Sequence, residues 1–92
     1  MFTRACEVGD VITAITETAS YWFVITAPQV AEVFRKGNGE QFAQLLQKRK
    51  LGAELVEGEG FGMYDVDDNP ITVIIPTNIG KTTRDKIPTR HV

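Results

Sequence analysis

The amino-acid order predicts a small α+β domain: an antiparallel sheet in the order β-β-α-α-β-β-β, a helix pair packed on one face, and a basic C-terminal tail. Three observations carry that expectation. Two runs rich in β-branched and aromatic residues, "VITAIT" and "SYWFVIT", stand close together near the start. A central block, Ala43 to Lys50, holds no β-branched residue and is made of strong helix formers. Two further β-branched or aromatic runs, "FGMYDV" and "PITVII", flank a cluster of turn formers. Strands on either side of a helical insert favour an antiparallel sheet with its helices on one face.

Each element has a local reason. Glu17, Thr18 and Ala19 separate the first two runs, which reads as a hairpin with a short loop, launched after Gly9-Asp10. Side chains alternate along a strand, so Tyr21, Phe23 and Ile25 share one face and Trp22 and Val24 the other. The first face meets the core, and the second needs cover. Pro28 suits a first helical position, with Val30, Val33 and Phe34 following at helical spacing until Gly37. Asn38 and Gln41 offer a capping pair for a second helix with Phe42, Leu45 and Leu46 as its buried stripe, cations in its last turn and Gly52 as its stop. A competing reading folds "VFRKGNGEQF" into a β-hairpin around Asn38-Gly39, a pair that favours tight turns. "AELVEGEG" supplies the strand after the helices, and Asp67, Asp68, Asn69 and Pro70 turn the chain between the last two strands. The expected organisation is one domain over residues 1–79 and a basic, flexible tail over 80–92.

Composition limits the functions open to the chain. Its 92 residues hold one modest core, and an apolar fraction of 42% with a charged fraction of 24% is that of a packed globular protein. A single cysteine, Cys6, cannot form an internal disulfide, and the opening residues do not read as a secretory signal, so a cytoplasmic location is expected. Charge is unevenly spread: −2 over residues 1–27, +3 over 28–50, −6 over 51–80 and +3 over 81–92. That asymmetry singles out two sets of candidate binding residues. The basic set is Arg35, Lys36, Lys48, Arg49, Lys50, Lys81, Arg84, Lys86 and Arg90; the acidic set is Glu54, Glu57, Glu59, Asp65, Asp67 and Asp68.

Motifs that invite a sharper reading fail on inspection. "IIPTNIGKTT" ends like a phosphate-binding loop, but Ile75 stands where its first glycine is required, Pro76 removes a donor, and too little chain follows for a helix. "DVDDNP" lacks the glycine and the distal glutamate of a calcium loop and reads as a turn. Cys6 and His91 lie at opposite ends, and with one of each a closed zinc site cannot be built. No catalytic, metal or cofactor-binding residues are assigned, and no cofactor is expected. A helix-turn-helix over residues 28–50 would put its cations at the far end of the reading helix rather than at its first turns.

The functional expectation is a non-enzymatic protein that docks on a larger protein or nucleoprotein complex, its two charge poles steering and orienting the encounter. In size and charge layout the chain is similar to the small inhibitors that phages and plasmids encode against host nucleases, such as anti-CRISPR proteins. That likeness is one of type, carried by no shared motif, and it implies an inhibitor or adaptor of a nucleic-acid-handling complex. The alternative is direct nucleic-acid binding through the basic helix end and tail, with affinity that falls steeply with salt. No membrane contact is expected, and the oligomeric state is left open by the sequence.

Overall fold

A computed structural model describes residues 7–52, 54–65 and 67–89. Seven strands follow one another: Val11–Ile15 (β1), Ala19–Ala27 (β2), Val30–Gly37 (β3), Gln44–Leu51 (β4), Phe61–Tyr64 (β5), Pro70–Ile74 (β6) and Asn78–Thr82 (β7), with one 3-10 turn at Arg84–Lys86. There is no α-helix among the described residues, so the α+β class and the helix pair are wrong. The protein is an antiparallel β-sheet in the order β6-β5-β4-β3-β2-β1-β7.

The block read as two helices is the β3–β4 hairpin. Phe34 faces Leu45, Glu32 faces Lys48 and Val30 faces Lys50 across the ladder. The helical spacing of Val30, Val33 and Phe34 was misleading because β3 is apolar on both faces, which hides the two-residue alternation of a half-buried strand. In β4 the helix propensity of "QLLQKRK" loses to position. The strand lies between β3 and β5, and cross-strand partners decide conformation more strongly than intrinsic preference does. Asn38 caps no helix; its side-chain amide donates to the Glu17 carbonyl at 2.6 Å and ties the β3–β4 loop to the β1–β2 loop. Glu40 closes the same loop by accepting from the Gly37 N–H at 2.7 Å. The hairpin reading around Asn38-Gly39 was the better one, with a wider connection than a two-residue turn.

Two other expectations shift. The described residues of "AELVEGEG", 54–60, contain no strand; they form a loop that drops Leu55 into the core at 2% exposure. Gly80, read as a turn, lies in β7 opposite Thr13, where an added Cβ would stand 3.1 Å from the threonine hydroxyl. The segment expected to be a flexible tail begins within β7 and goes on to bury Ile87 at 6% exposure.

β6 and β7 lie at opposite ends of the strand order, yet only Ile75, Pro76 and Thr77 separate them in sequence. Flat, the sheet would hold those edges about 29 Å apart at the usual strand spacing. The connecting peptides reach at most about 14 Å. The sheet must therefore roll up, and the ring contact between Phe23 of β2 and Phe61 of β5, centroids 5.8 Å apart, crosses its interior. Inside lie Ile12, Tyr21, Phe23, Ile25, Val33, Leu51, Phe61, Met63 and Ile74. Burying a large side chain such as Phe23 fully contributes about 1.5–3 kcal/mol.

The face of β1–β3 that needed cover receives it from the C-terminal segment. Val11, Val24, Phe34, Ala43 and Ile87 form a second cluster, with Trp22 packed against it. The Ala43 N–H donates to the Pro88 carbonyl at 2.7 Å, and the Arg84 guanidinium lies 5.9 Å from the centre of the Phe34 ring. No helix among the described residues is long and apolar enough to cross a membrane.

Candidate functional site

The two edges of the rolled sheet are treated differently. At β7 the 54–60 loop comes alongside: the Glu57 carboxylate accepts from the Ile79 N–H at 3.3 Å, and the Gly58 N–H donates to the Pro76 carbonyl at 2.8 Å. β6 pairs only with β5 and carries no strand partner on its other side among the described residues. Its side chains are correspondingly bare. Ile71, Val73 and Ile75, which alternate onto one face, are 43%, 67% and 59% exposed.

Val73 is bare for a local reason. The residue opposite it on β5 is Gly62, and Gly60 sits where an added Cβ would come within 3.3 Å of its methyl group. Glycine on that neighbouring strand supplies no side chain to cover the valine. Residues 69–80, which hold all of β6 and most of β7, contain no charged side chain. Natural edges are commonly blunted by lysine or an inward charge; here Pro70 and Pro76, at the two ends, and a register shift against β5 between Pro70 and Thr72 are the interruptions.

A groove of 430 Å³ runs between β6 and the β1–β2 loop. Thr16, Glu17, Thr18 and Tyr21 form one wall, and residues 72–75 with Thr77 form the other. The Tyr21 hydroxyl accepts from the Arg35 Nε at 3.3 Å, which holds the ring in its wall. Hydroxyl groups on both walls, with aliphatic groups from Val73, Ile74 and Ile75, suit an extended chain, whose amides need partners and whose side chains need apolar cover.

The acidic candidates stand at the two ends of this edge. Asp65, Asp67 and Asp68 form the β5–β6 turn, as the turn reading of "DVDDNP" expected. Asp65 Oδ1 accepts from the N–H groups of Asp67 and Asn69, each at 2.9 Å, and Oδ2 accepts from the Asn69 amide at 3.1 Å. The backbone and side-chain hydrogen bonds from Asn69 hold the Asp65 carboxyl below the usual aspartate range, with smaller help from the Asp67 N–H and the Arg49 charge, against the opposing effect of burial. Glu57 and Glu59 flank Gly58, which is bonded to Pro76 at the far end of β6, and Glu17 stands in the groove wall opposite residues 72–75. Glu54 lies in the same 54–60 loop.

The basic candidates do not gather into one pole. Arg35 sits beside Tyr21 and 3.7 Å from Glu40; Lys50 pairs with Asp68 at 3.0 Å; Lys81 lies 3.6 Å from Asp10. Arg49 is placed opposite Ala31, on the core side of the ladder. Lys36 and Lys48 share the outer side of the sheet with Phe34, over which Arg84 lies, and Lys86 follows in the same 3-10 turn. Arg90, Cys6 and His91 lie outside the described residues.

Ile71, Val73 and Ile75 escaped the sequence reading because "PITVII" looks like any buried strand. The usable signal was the uncharged stretch from Asn69 to Gly80, which contains two prolines and follows directly on the acidic residues of 54–68. Comparison with protein-family models, with curated proteins and with solved structures found no match to this chain.

Proposed function

We propose that the protein is a non-enzymatic binding module that takes an extended segment of a larger partner as an added strand along β6. The observation that supports this reading is the unpaired, uncharged β6 edge with Ile71, Val73 and Ile75 bare beside a groove. Strand addition draws affinity from backbone hydrogen bonds and selectivity from pockets for alternate side chains, and this edge offers both. The target is a protein or nucleoprotein complex, and an inhibitor or adaptor of nucleic-acid-handling machinery fits the charge layout.

Capture from host lysate, with and without nuclease, comparing the native chain with Val73→Lys, tests the reading. A stoichiometric protein that survives nuclease and is lost with Val73→Lys supports it. A partner retained by Val73→Lys overturns it.

One observation favours direct nucleic-acid binding as a second reading: Lys36, Lys48 and Arg84 lie around Phe34 on the outer side of the sheet. Under that reading the captured material is nucleic acid, binding weakens steeply with salt, and Lys48→Glu with Arg84→Glu abolishes it while Val73→Lys does not.

A further inference from the structure

Resting on the strand-addition reading, the chemistry of the occupant can be specified. We infer that β6 takes an extended segment with alternating apolar residues and lysine or arginine at both ends. A second copy of this chain does not fit the same description.

The strand itself fixes the middle of the segment. Ile71, Val73 and Ile75 lie on one face and are each exposed over a large part of their surface, so an added strand places every second side chain beside them. Residues 69–80 carry no charge, so a charged group in the middle of the segment would be desolvated without a partner.

The ends are fixed by electrostatics. Asp67 and Asp68 stand where β6 begins, and Glu17, Glu57 and Glu59 stand where it ends. Residues 51–80 contain no lysine or arginine; Lys50, paired with Asp68, and Arg49, whose charge reaches Asp65, are placed against the turn at one end, where three carboxylates outnumber them. Both ends of the edge are therefore net acidic. A segment with cations at each end meets opposite charge at both, whichever direction it runs. Opposite charge there speeds encounter and holds register, and both effects weaken with salt.

The same charges disfavour self-pairing. An antiparallel two-fold pairing of β6 with its own copy would bring the start of one strand against the end of the other. The Asp65–Asp68 turn would then face the partner's Glu17, Glu57 and Glu59 at both ends of the interface. Like charges in such positions repel, so a dimer through this edge would strengthen with salt, opposite to the basic segment.

Three synthetic peptides provide the test: a core of alternating valine and threonine flanked by paired lysines, the same core flanked by paired glutamates, and the lysine form N-methylated on alternate amides to block strand pairing. Binding is read by fluorescence anisotropy at low and moderate salt, and its location by amide chemical shifts. The lysine-flanked peptide should shift residues 71–75 and bind at least about tenfold more tightly than the glutamate-flanked one, with the difference shrinking as salt rises. N-methylation should remove binding. Equal affinity of the lysine and glutamate forms at residues 71–75 overturns the basic-flank inference and leaves the strand-addition reading standing. Shifts confined to Lys36, Lys48 and Arg84, or indifference to N-methylation, overturn both. Sedimentation of the protein alone as salt is raised checks the second copy: a dimer that forms at low salt through residues 71–75 overturns the choice of occupant.

Discussion

β1 and β6 are built from nearly the same letters, "VITAI" and "PITVI", and meet opposite fates. β1 lies between β2 and β7, faces the core on one side and is covered by the Ile87 cluster on the other, so Val11, Ile12 and Ala14 are all but fully buried. β6 has one neighbour, opposite glycine, and only Ile74 of its five residues is buried. The difference teaches that burial here belongs to a strand's place in the sheet and not to its composition. It also divides the molecule into a part that holds the fold and an edge that the fold leaves exposed.

If that division is right, mutational sensitivity should follow it. The largest effect is expected at Phe23, fully buried and in ring contact with Tyr21 and Phe61. Phe23→Ala should cost about 3–5 kcal/mol in urea denaturation, enough to unfold a domain of this size under ordinary conditions. Next comes the C-terminal cover. Ile87→Ala should cost about 2 kcal/mol, the lower end of the range for emptying an isoleucine site, because the residue lies at the margin of its cluster. An unchanged urea midpoint would show that the segment after β7 does not contribute to the closed half. Smaller again is Glu40→Ala, which removes the acceptor for the Gly37 N–H in the β3–β4 loop and should cost about 1 kcal/mol.

The same division explains what the sequence could and could not disclose. The β1–β2 hairpin, its two apolar faces and the β5–β6 turn were legible because alternation and turn residues are local signals. β3 and β4 were not, since a strand apolar on both faces has no period to read, and helix formers pair as a strand once two neighbours hold them. β7 was hidden for a different reason: "NIGKT" is a poor strand sequence whose conformation comes from pairing with β1, distant in the chain. Asp65, Asp67 and Asp68 lie in the turn that begins β6, whereas Arg35, Lys50 and Lys81 are drawn off by individual pairings that net charge along the chain cannot reveal.

Asp65 sharpens the comparison at the point where β6 begins. Its folded-state pKa is depressed by the hydrogen bonds from Asn69 and Asp67, so the charged form is favoured by folding. Stability from this group is therefore present above its unfolded value near 3.8 and is lost as pH falls through the lower folded value. A carboxyl NMR titration should place the Asp65 midpoint below that of an ordinary aspartate, and Asp65→Asn should flatten the dependence of stability on pH below about 4. A normal midpoint would mean that the turn is looser than its hydrogen bonds indicate, and the strand's register against β5 with it.

The smallest expected effect is the most decisive for the open half. Val73 is 67% exposed and faces Gly62, so Val73→Lys should alter unfolding free energy by no more than about 0.5 kcal/mol, as at other surface positions. The lysine can extend into solvent, and the strand's pairing with β5 runs through backbone groups that the substitution does not touch. A loss of several kcal/mol would mean that β6 is covered and helps hold the core, which would remove the reason to regard it as a docking edge. An unchanged melting curve would leave the aliphatic row without a role in the isolated fold. A conspicuous apolar row on an unpaired strand is an aggregation hazard, and its presence without a stability role points to binding.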